Sequence, residues 1–327
     1  MVDRIPSGTR DVLPDEMREL RAMTDRIRDV FERAGYGEVY TPALEYENSM
    51  ATGWSGITQP AYRMFDEQGN VLVLRTDMTI PIARLVATRF DEEPGPLRLC
   101  YLSHAYRAVT PQRGQQREFL QAGLELIGAE SPGGTVEVIE VLCAALDAAG
   151  LPRARVGLGD AGLYRGLLEG MGAEGNGAGA VLLALERRDF VELEARVADL
   201  GVSGKRQETL ATLPQLRGGP EVLDRAVELG GDDVRQATQR LRDVVDGVTE
   251  RGLADRVIFD LGLVRDLGYY TGAIFEVYDP ALGHVIGAGG RYDDLIGRFG
   301  DPRPACGFAL FVERLHVAQA EEERRAG

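Results

Sequence analysis

Hydrophobic positions along the chain follow two periods, and the changes from one to the other outline the elements. Leu20, Met23, Ile27, Val30 and Phe31 recur at helical spacing. Pro14 opens that segment with Asp15 and Glu16 in its first turn, and Gly35 ends it. Residues 36–41 and 71–74 read as strands, the second entered through a turn at Gln68-Gly69-Asn70. Residues 79–90 predict a helix, with Thr79 as its cap and Pro81 in its first turn. Two apolar strands at 97–107 and 117–127 flank a polar loop at 110–116 and predict an antiparallel hairpin. A helix over 135–149 stops at Gly150, with Pro152 just beyond.

After a short strand at 155–158 the pattern changes. Residues 161–251 read as short helices broken by glycine pairs, at Gly218-Gly219 and Gly230-Gly231, with few aromatics. Strand signals return at 257–260, 273–278 and 285–286, and a strand at 305–310 with a helix at 311–320 closes the pattern. Strands on both sides of a helical stretch imply one sheet completed late in the chain. The expected fold class is α+β: an antiparallel sheet flanked by helices, formed by residues 1–160 and 252–327, with a mostly helical insertion at 161–251.

Composition narrows the function. The 327 residues carry a formal charge of −15, which disfavours a protein whose main task is gripping nucleic acid. Cys100, Cys143 and Cys306 are far apart in apolar runs, and with only His104, His284 and His316 beside them they predict buried thiols rather than a zinc site. No stretch is apolar enough to span a bilayer and no signal region opens the chain, so a reducing cytoplasm is expected, with no metal and no cofactor.

Three places carry candidate chemistry. Phe119, Gln121, Gly123 and Glu125 alternate onto one strand face, where two polar side chains around a glycine would line a floor for a cationic or hydrogen-bonding ligand; a solvated strand face is the competing reading. Gly287-Ala288-Gly289-Gly290-Arg291-Tyr292 lacks the Gly-Lys-Ser/Thr of a phosphate loop, and is either a close backbone approach to a ligand or a tight turn in a sheet. Arg265 with Tyr269 and Tyr270 would suit a carboxylate and a ring edge, although tyrosines entering a strand are also plain strand formers. Arg107, Arg113 and Arg117 read as a charged hairpin tip.

Taken together and in order, these segments resemble a known family. Residues 106–125, from Tyr106-Arg107 through Arg117 and Gln121 to Glu125, are similar to motif 2 of histidyl-tRNA synthetases. Residues 263–276, containing Arg265, Tyr269, Tyr270 and Glu276, resemble their histidine-specific motif. Gly289-Gly290-Arg291-Tyr292-Asp293 resembles their glycine-rich segment, residues 307–315 their motif 3, and residues 36–45 the dimer-forming motif 1. The departures matter as much. Val109 stands where synthetases carry a glutamate, and Phe311 stands where motif 3 has a glycine, so that a benzyl group would crowd the adenosine pocket. Arg265-Asp266-Leu267-Gly268 replaces Arg-Gly-Leu-Asp, and the chain stops just after motif 3, so no anticodon-binding domain is expected.

Arg75-Thr76-Asp77-Met78-Thr79 resembles instead the pattern of the regulatory subunits of ATP phosphoribosyltransferase, which are synthetase paralogues. That resemblance implies a non-catalytic subunit. Its partner would be a short-form catalytic subunit, in a hetero-octamer containing homodimers of this chain, acting at the first step of histidine biosynthesis and inhibited by L-histidine, with no tRNA and no membrane partner. It further implies that Asp77, Thr79 and Gln121 hold the histidine ammonium, that Glu125 and Tyr270 address the imidazole, and that Arg265 meets the carboxylate. Arg107 and Tyr269 complete the expected histidine-binding set, Arg107 at the position of a synthetase residue that contacts the α-phosphate. The alternative is an active synthetase-like or aminoacyl-adenylate-forming enzyme without a tRNA domain.

Overall fold

The computed structural model describes residues 5–54, 60–109, 116–173, 175–202, 204–265 and 268–326. Its elements are α1 (Pro14–Arg33), β1 (Gly37–Glu38), β2 (Leu44–Tyr46), α2 (Glu47–Gly53), β3 (Arg63–Phe65), β4 (Val71–Leu74), α3 (Thr79–Arg89), β5 (Leu97–Tyr106), β6 (Glu118–Ile127), α4 (Gly133–Ala148) and β7 (Arg155–Asp160). There follow α5 (Gly162–Gly170), α6 (Gly175–Glu186), α7 (Phe190–Asp199), α8 (Lys205–Thr212), β8 (Arg217–Gly218), α9 (Glu221–Gly230) and α10 (Asp232–Glu250). The chain returns to the sheet with β9 (Val257–Asp260), β10 (Ala273–Tyr278), β11 (Val285–Arg291) and β12 (Ala305–Phe311), before α11 (Val312–Ala326).

Local signals explain the elements that the pattern located. In α1, Pro14 needs no intrahelical partner for its missing N–H, and Leu20, Met23, Ile27 and Phe31 are buried along one stripe. The helix ends as Gly35 turns left-handed at φ 84°, which lets the Tyr36 N–H reach back to the Phe31 carbonyl at 3.0 Å. Gly150 closes α4 in the same way. At α3 the expectation of a Thr79 cap fails. The Asp77 carboxylate accepts from the Ile80 N–H at 3.0 Å, and the Thr79 hydroxyl turns inward to Glu125.

The main sheet has nine strands in the order β1-β5-β6-β12-β11-β10-β7-β9-β8. It is antiparallel from β5 to β7, but β1 runs parallel to β5 and β7 parallel to β9, so the expected antiparallel sheet is mixed at both ends. The first strand is shorter than expected, only Gly37–Glu38. The glycine run is not a turn: β11 continues through it to Arg291, paired on both sides. Its glycines are needed because a Cβ at Gly289 would lie 2.2 Å from the Gly307 carbonyl oxygen. A small sheet, β2-β4-β3, packs beside the large one.

Both faces of the central strands are covered. Along β6, Ala122, Leu124 and Leu126 join a core that includes Met23 and Phe31 of α1 and Val138 and Leu142 of α4. That core runs on without a break through buried residues of α5 to α10, such as Leu167, Leu185, Leu223 and Leu241. The opposite face of the sheet meets Met78, Ile80 and Ile82 of the α3 region with Tyr101, Tyr269, Tyr270 and Tyr292. The alternation of β6 therefore sends Gln121 and Glu125 towards the tyrosine-lined side.

Leu124 is fully buried where these layers meet. Leu124→Ala should cost about 2–5 kcal/mol in urea unfolding, whereas Val191→Ala, at a side chain 82% exposed, should change stability by less than about 0.5 kcal/mol.

Candidate functional site

The strand faces and the α3 N-terminus enclose a narrow cavity of about 40 Å³ whose walls include Asp77, Thr79, Arg107, Gln121, Arg265, Tyr269 and Tyr270. Seven of the eight residues proposed from sequence therefore converge on one hollow. Gln121 is 4% exposed and Glu125 1%, so the competing picture of a solvated strand face is excluded. Two polar atoms of the wall residues are buried without a partner among the described residues: the Gln121 amide oxygen and the Arg107 Nε. A buried acceptor and a buried donor left open cost stability unless something else pairs with them.

Glu125, the eighth, sits behind the wall. The Thr79 hydroxyl donates to its Oε1 at 2.8 Å, and the Tyr292 hydroxyl donates to its Oε2 in a very short contact. Room for this carboxyl exists because Gly307 faces it across the β6–β12 ladder; a Cβ on Gly307 would overlap its Oε2. Burial is the main force on its protonation and raises the pKa to about 8, against the opposing hydrogen bonds from Tyr292 and Thr79, with the nearby Asp77 charge raising it further. Burial likewise raises Asp77, offset by the Ile80 N–H, by Thr76 and by the Arg107 charge. Burial thus favours the neutral form of Glu125, which reaches the cavity only through the Thr79 and Tyr292 hydroxyls.

The far end of the cavity is strongly cationic. Burial lowers the Arg107 pKa, and repulsion from Arg265 and Arg314 lowers it further. Arg265 is paired with Glu276 at 3.2 Å, and Arg314 donates to the Val285 carbonyl at 2.6 Å. Phe311 closes this end. Its ring meets Phe119 edge-on at 5.8 Å, and the Arg314 guanidinium lies 4.7 Å above it. Arg107 covers the Phe119 ring at 5.1 Å, so the four side chains form one stack. A second hollow of about 150 Å³, lined by Arg107, Val109, Phe119, Phe311 and Arg314, lies just beyond. Phe311 stands on the boundary of both hollows.

Tyr292, Gly307 and Arg314 belong to the resembling motifs but not to the expected histidine-binding set, and Phe119 is expected only on the face of the floor. The signal for Gly307 and Tyr292 lies in strand register, which a single sequence does not display. Of the hairpin-tip arginines, Arg117 donates to the Val109 carbonyl at 3.1 Å, Arg107 turns into the site, and Arg113 lies outside the described residues, as does most of the polar loop. Asp266 and Leu267 lie outside them too. A larger hollow, about 750 Å³, lies elsewhere, between α1 and α4, and its Arg98 and Arg251 are already paired with Glu137 and Glu140. The three cysteines are buried and free, as their apolar surroundings predicted. Among the described residues no helix is long and apolar enough to cross a membrane.

A largely antiparallel sheet that presents a polar floor, a tyrosine wall and an arginine-lined mouth is the fold of the histidyl-tRNA synthetase type. The sequence pattern of that family, histidyl-tRNA synthetase, matches residues 8–315. The ATP phosphoribosyltransferase regulatory subunit of Symbiobacterium thermophilum is 43% identical over 98% of this chain and 80% of its own length; that of Moorella thermoacetica is 40% identical over 97% and 82%. A solved ATP phosphoribosyltransferase regulatory subunit/histidyl-tRNA synthetase from Bacillus halodurans superimposes with a TM-score of 0.89 at 34% identity, over 98% of this chain and 84% of that one. The chain belongs to the family of ATP phosphoribosyltransferase regulatory subunits.

The neutral Glu125 has a consequence for stability. Its folded pKa of about 8 lies above the ordinary carboxylate value of 4.5, so between these limits the folded state holds a proton that the unfolded state has lost. Stability should therefore fall as pH rises through that window, by at most about 1.4 kcal/mol per pH unit. Glu125→Gln, which keeps the shape and cannot ionise, should flatten this slope in urea melts between pH 5 and 8. An unchanged slope would mean that Glu125 stays ionised when folded.

Proposed function

We propose that this chain is a histidine-sensing, non-catalytic subunit that partners a short-form ATP phosphoribosyltransferase catalytic subunit. The observation that carries the reading is the unequal treatment of the two halves of the site. The half suited to an amino acid keeps polar groups on its walls: Gln121 with an unpaired amide oxygen, Arg107 with an unpaired Nε, Asp77 for an ammonium although it also caps α3, and Arg265 for a carboxylate although Glu276 neutralises it. The half where an adenosine would lie holds the Phe119–Phe311–Arg314 stack, and Val109 offers no acceptor side chain. Loss of aminoacylation with retention of histidine binding is what a sensor needs.

Within this reading Asp77 and Gln121 receive the ammonium, with charge-assisted hydrogen bonds worth roughly 1.5–3 kcal/mol each. Tyr270 and Tyr269 flank the imidazole, and Glu125 addresses it through Tyr292 and Thr79 rather than by direct contact. Discrimination follows because a ring lacking nitrogens leaves those partners unpaired. The homodimer contact falls on the face of motif 1 and the small sheet, supported by Tyr40 at 79% exposure and Phe65 at 74%.

Gln121 gives the cleaner mutational test, because its side-chain oxygen is unpaired in the free protein. Gln121→Met should leave the melting temperature unchanged or higher and weaken histidine binding about tenfold, the equivalent of about 1.4 kcal/mol. Calorimetric titration decides it, and equal affinity in wild type and variant would place the histidine site elsewhere. A second experiment tests the partnership. A short catalytic subunit mixed with this chain should gain phosphoribosyl transfer activity, and this chain alone should show no histidine-dependent exchange of pyrophosphate into ATP. Separate elution with unchanged transferase activity, or clear exchange, would overturn the assignment.

A further inference from the structure

The turn between α6 and α7 ends one helix as Gly35 and Gly150 end theirs, but with a different residue. The Arg188 N–H reaches the Leu185 carbonyl at 2.9 Å, and the Asp189 N–H reaches back to Ala184 at 3.0 Å. The left-handed position, φ 53°, is held by Arg188, the one non-glycine residue with positive φ among those described. Glycine would adopt that conformation at no steric cost, so the arginine side chain must be worth the strain. Its contacts show why. Arg188 Nη2 donates to Asp260 at 3.1 Å and to the Tyr278 hydroxyl at 3.0 Å, and stands 3.8 Å from Glu276 Oε2. The Tyr278 hydroxyl in turn donates to Glu276 Oε2 at 2.5 Å. The other oxygen of the same carboxylate, Oε1, pairs with Arg265 Nη1 at 3.2 Å. One half-buried glutamate therefore bridges an arginine of the candidate site and an arginine of the α6–α7 turn.

We propose that Glu276 and Arg188 are positioning residues for Arg265, and that through them occupancy of the pocket tightens the α6–α7 turn. The proposal rests on the reading that the pocket takes free histidine. In the free protein Glu276 neutralises Arg265. A ligand carboxylate arriving at Arg265 brings a second anion to the same guanidinium and weakens its hold on Glu276. Glu276 already has a second cation nearby: Arg188 Nη2 lies 3.8 Å from its Oε2, just beyond hydrogen-bond distance. The carboxylate thus shifts its weight from the pocket to the turn. The shift is a differential interaction between the free and occupied states, which coupling requires. The turn leads directly into Phe190 and Val191, which are exposed, so its tightening is felt at the surface.

Hydrogen exchange of the full chain, with and without histidine, tests this. In wild type, saturating histidine should slow exchange at residues 184–190 about threefold or more. Arg188→Gly relieves the backbone strain but leaves the buried Asp260 with only the more distant Arg217, so it should stay folded with a lower melting temperature than wild type. By linkage it should also bind histidine about threefold more weakly than wild type and lose the histidine-dependent protection of the turn. Glu276→Gln, which keeps the Tyr278 hydrogen bond and removes the charge, should lose that protection too. If protection persists in Arg188→Gly, or if wild type binds histidine without any change at 184–190, the relay is wrong and the sensing role stands. If calorimetry shows that wild type binds no histidine, the relay and the sensing role fall together.

Discussion

Pairing of β6 with β12 sets Gly307 opposite Glu125 and Phe311 opposite Gln121. Both consequences follow from the two-residue period of a strand. At the first pair, the missing side chain leaves space for a buried carboxyl; at the second, a phenyl ring walls off the polar floor. A slip of one residue would bring Cys306 or Phe308 against Glu125 and turn Phe311 away. The apolar layer beneath, Leu124 and Leu126 against α1 and α4, holds the register, because a slip would also send those side chains to the wrong face.

That register separates the two halves of the site chemically. Around Glu125 the groups are hydroxyls and a neutral acid, an environment that accepts a polar ring without demanding a charge. Around Arg107, Arg265 and Arg314 the groups are cationic and mutually repelling, an environment that favours a carboxylate. On the proposed reading, a zwitterion with a polar side chain matches both ends at once. Phe311 limits how far a ligand extends, since its ring is held by Phe119 on one side and Arg314 on the other.

The helices between β7 and β9 share the main hydrophobic core, so they are bound to the sheet by packing as well as by charge. Two ion-pair groups reinforce that join: Arg240 of α10 with Asp160 at 2.6 Å, and Arg188 with Asp260 at 3.1 Å. Asp160 and Asp260 are both buried, which makes loss of either arginine costlier than loss of an exposed pair. On the proposed relay, this join is the path by which a change at the pocket reaches the turn after α6.

Sequence alone determined most of the elements, because period and punctuation are local: the stripe of α1, the hairpin of β5 and β6, the stop at Gly150. It also determined which side chains are chemically unusual, and the order of motifs was enough to indicate the family. Tertiary structure decided what each does. Thr79 looked like a cap and is instead a donor to a glutamate 46 positions away. Gly289 and Gly290 looked compatible with a turn and lie inside a paired strand, since only the neighbouring strands show how closely backbones approach. Glu125 belonged to the expected set, yet whether it faces the ligand or lies behind Tyr292 depends on β11 and β12, which arrive about 160 residues later. Long-range pairing fixes side-chain direction and protonation, and no local pattern carries that information.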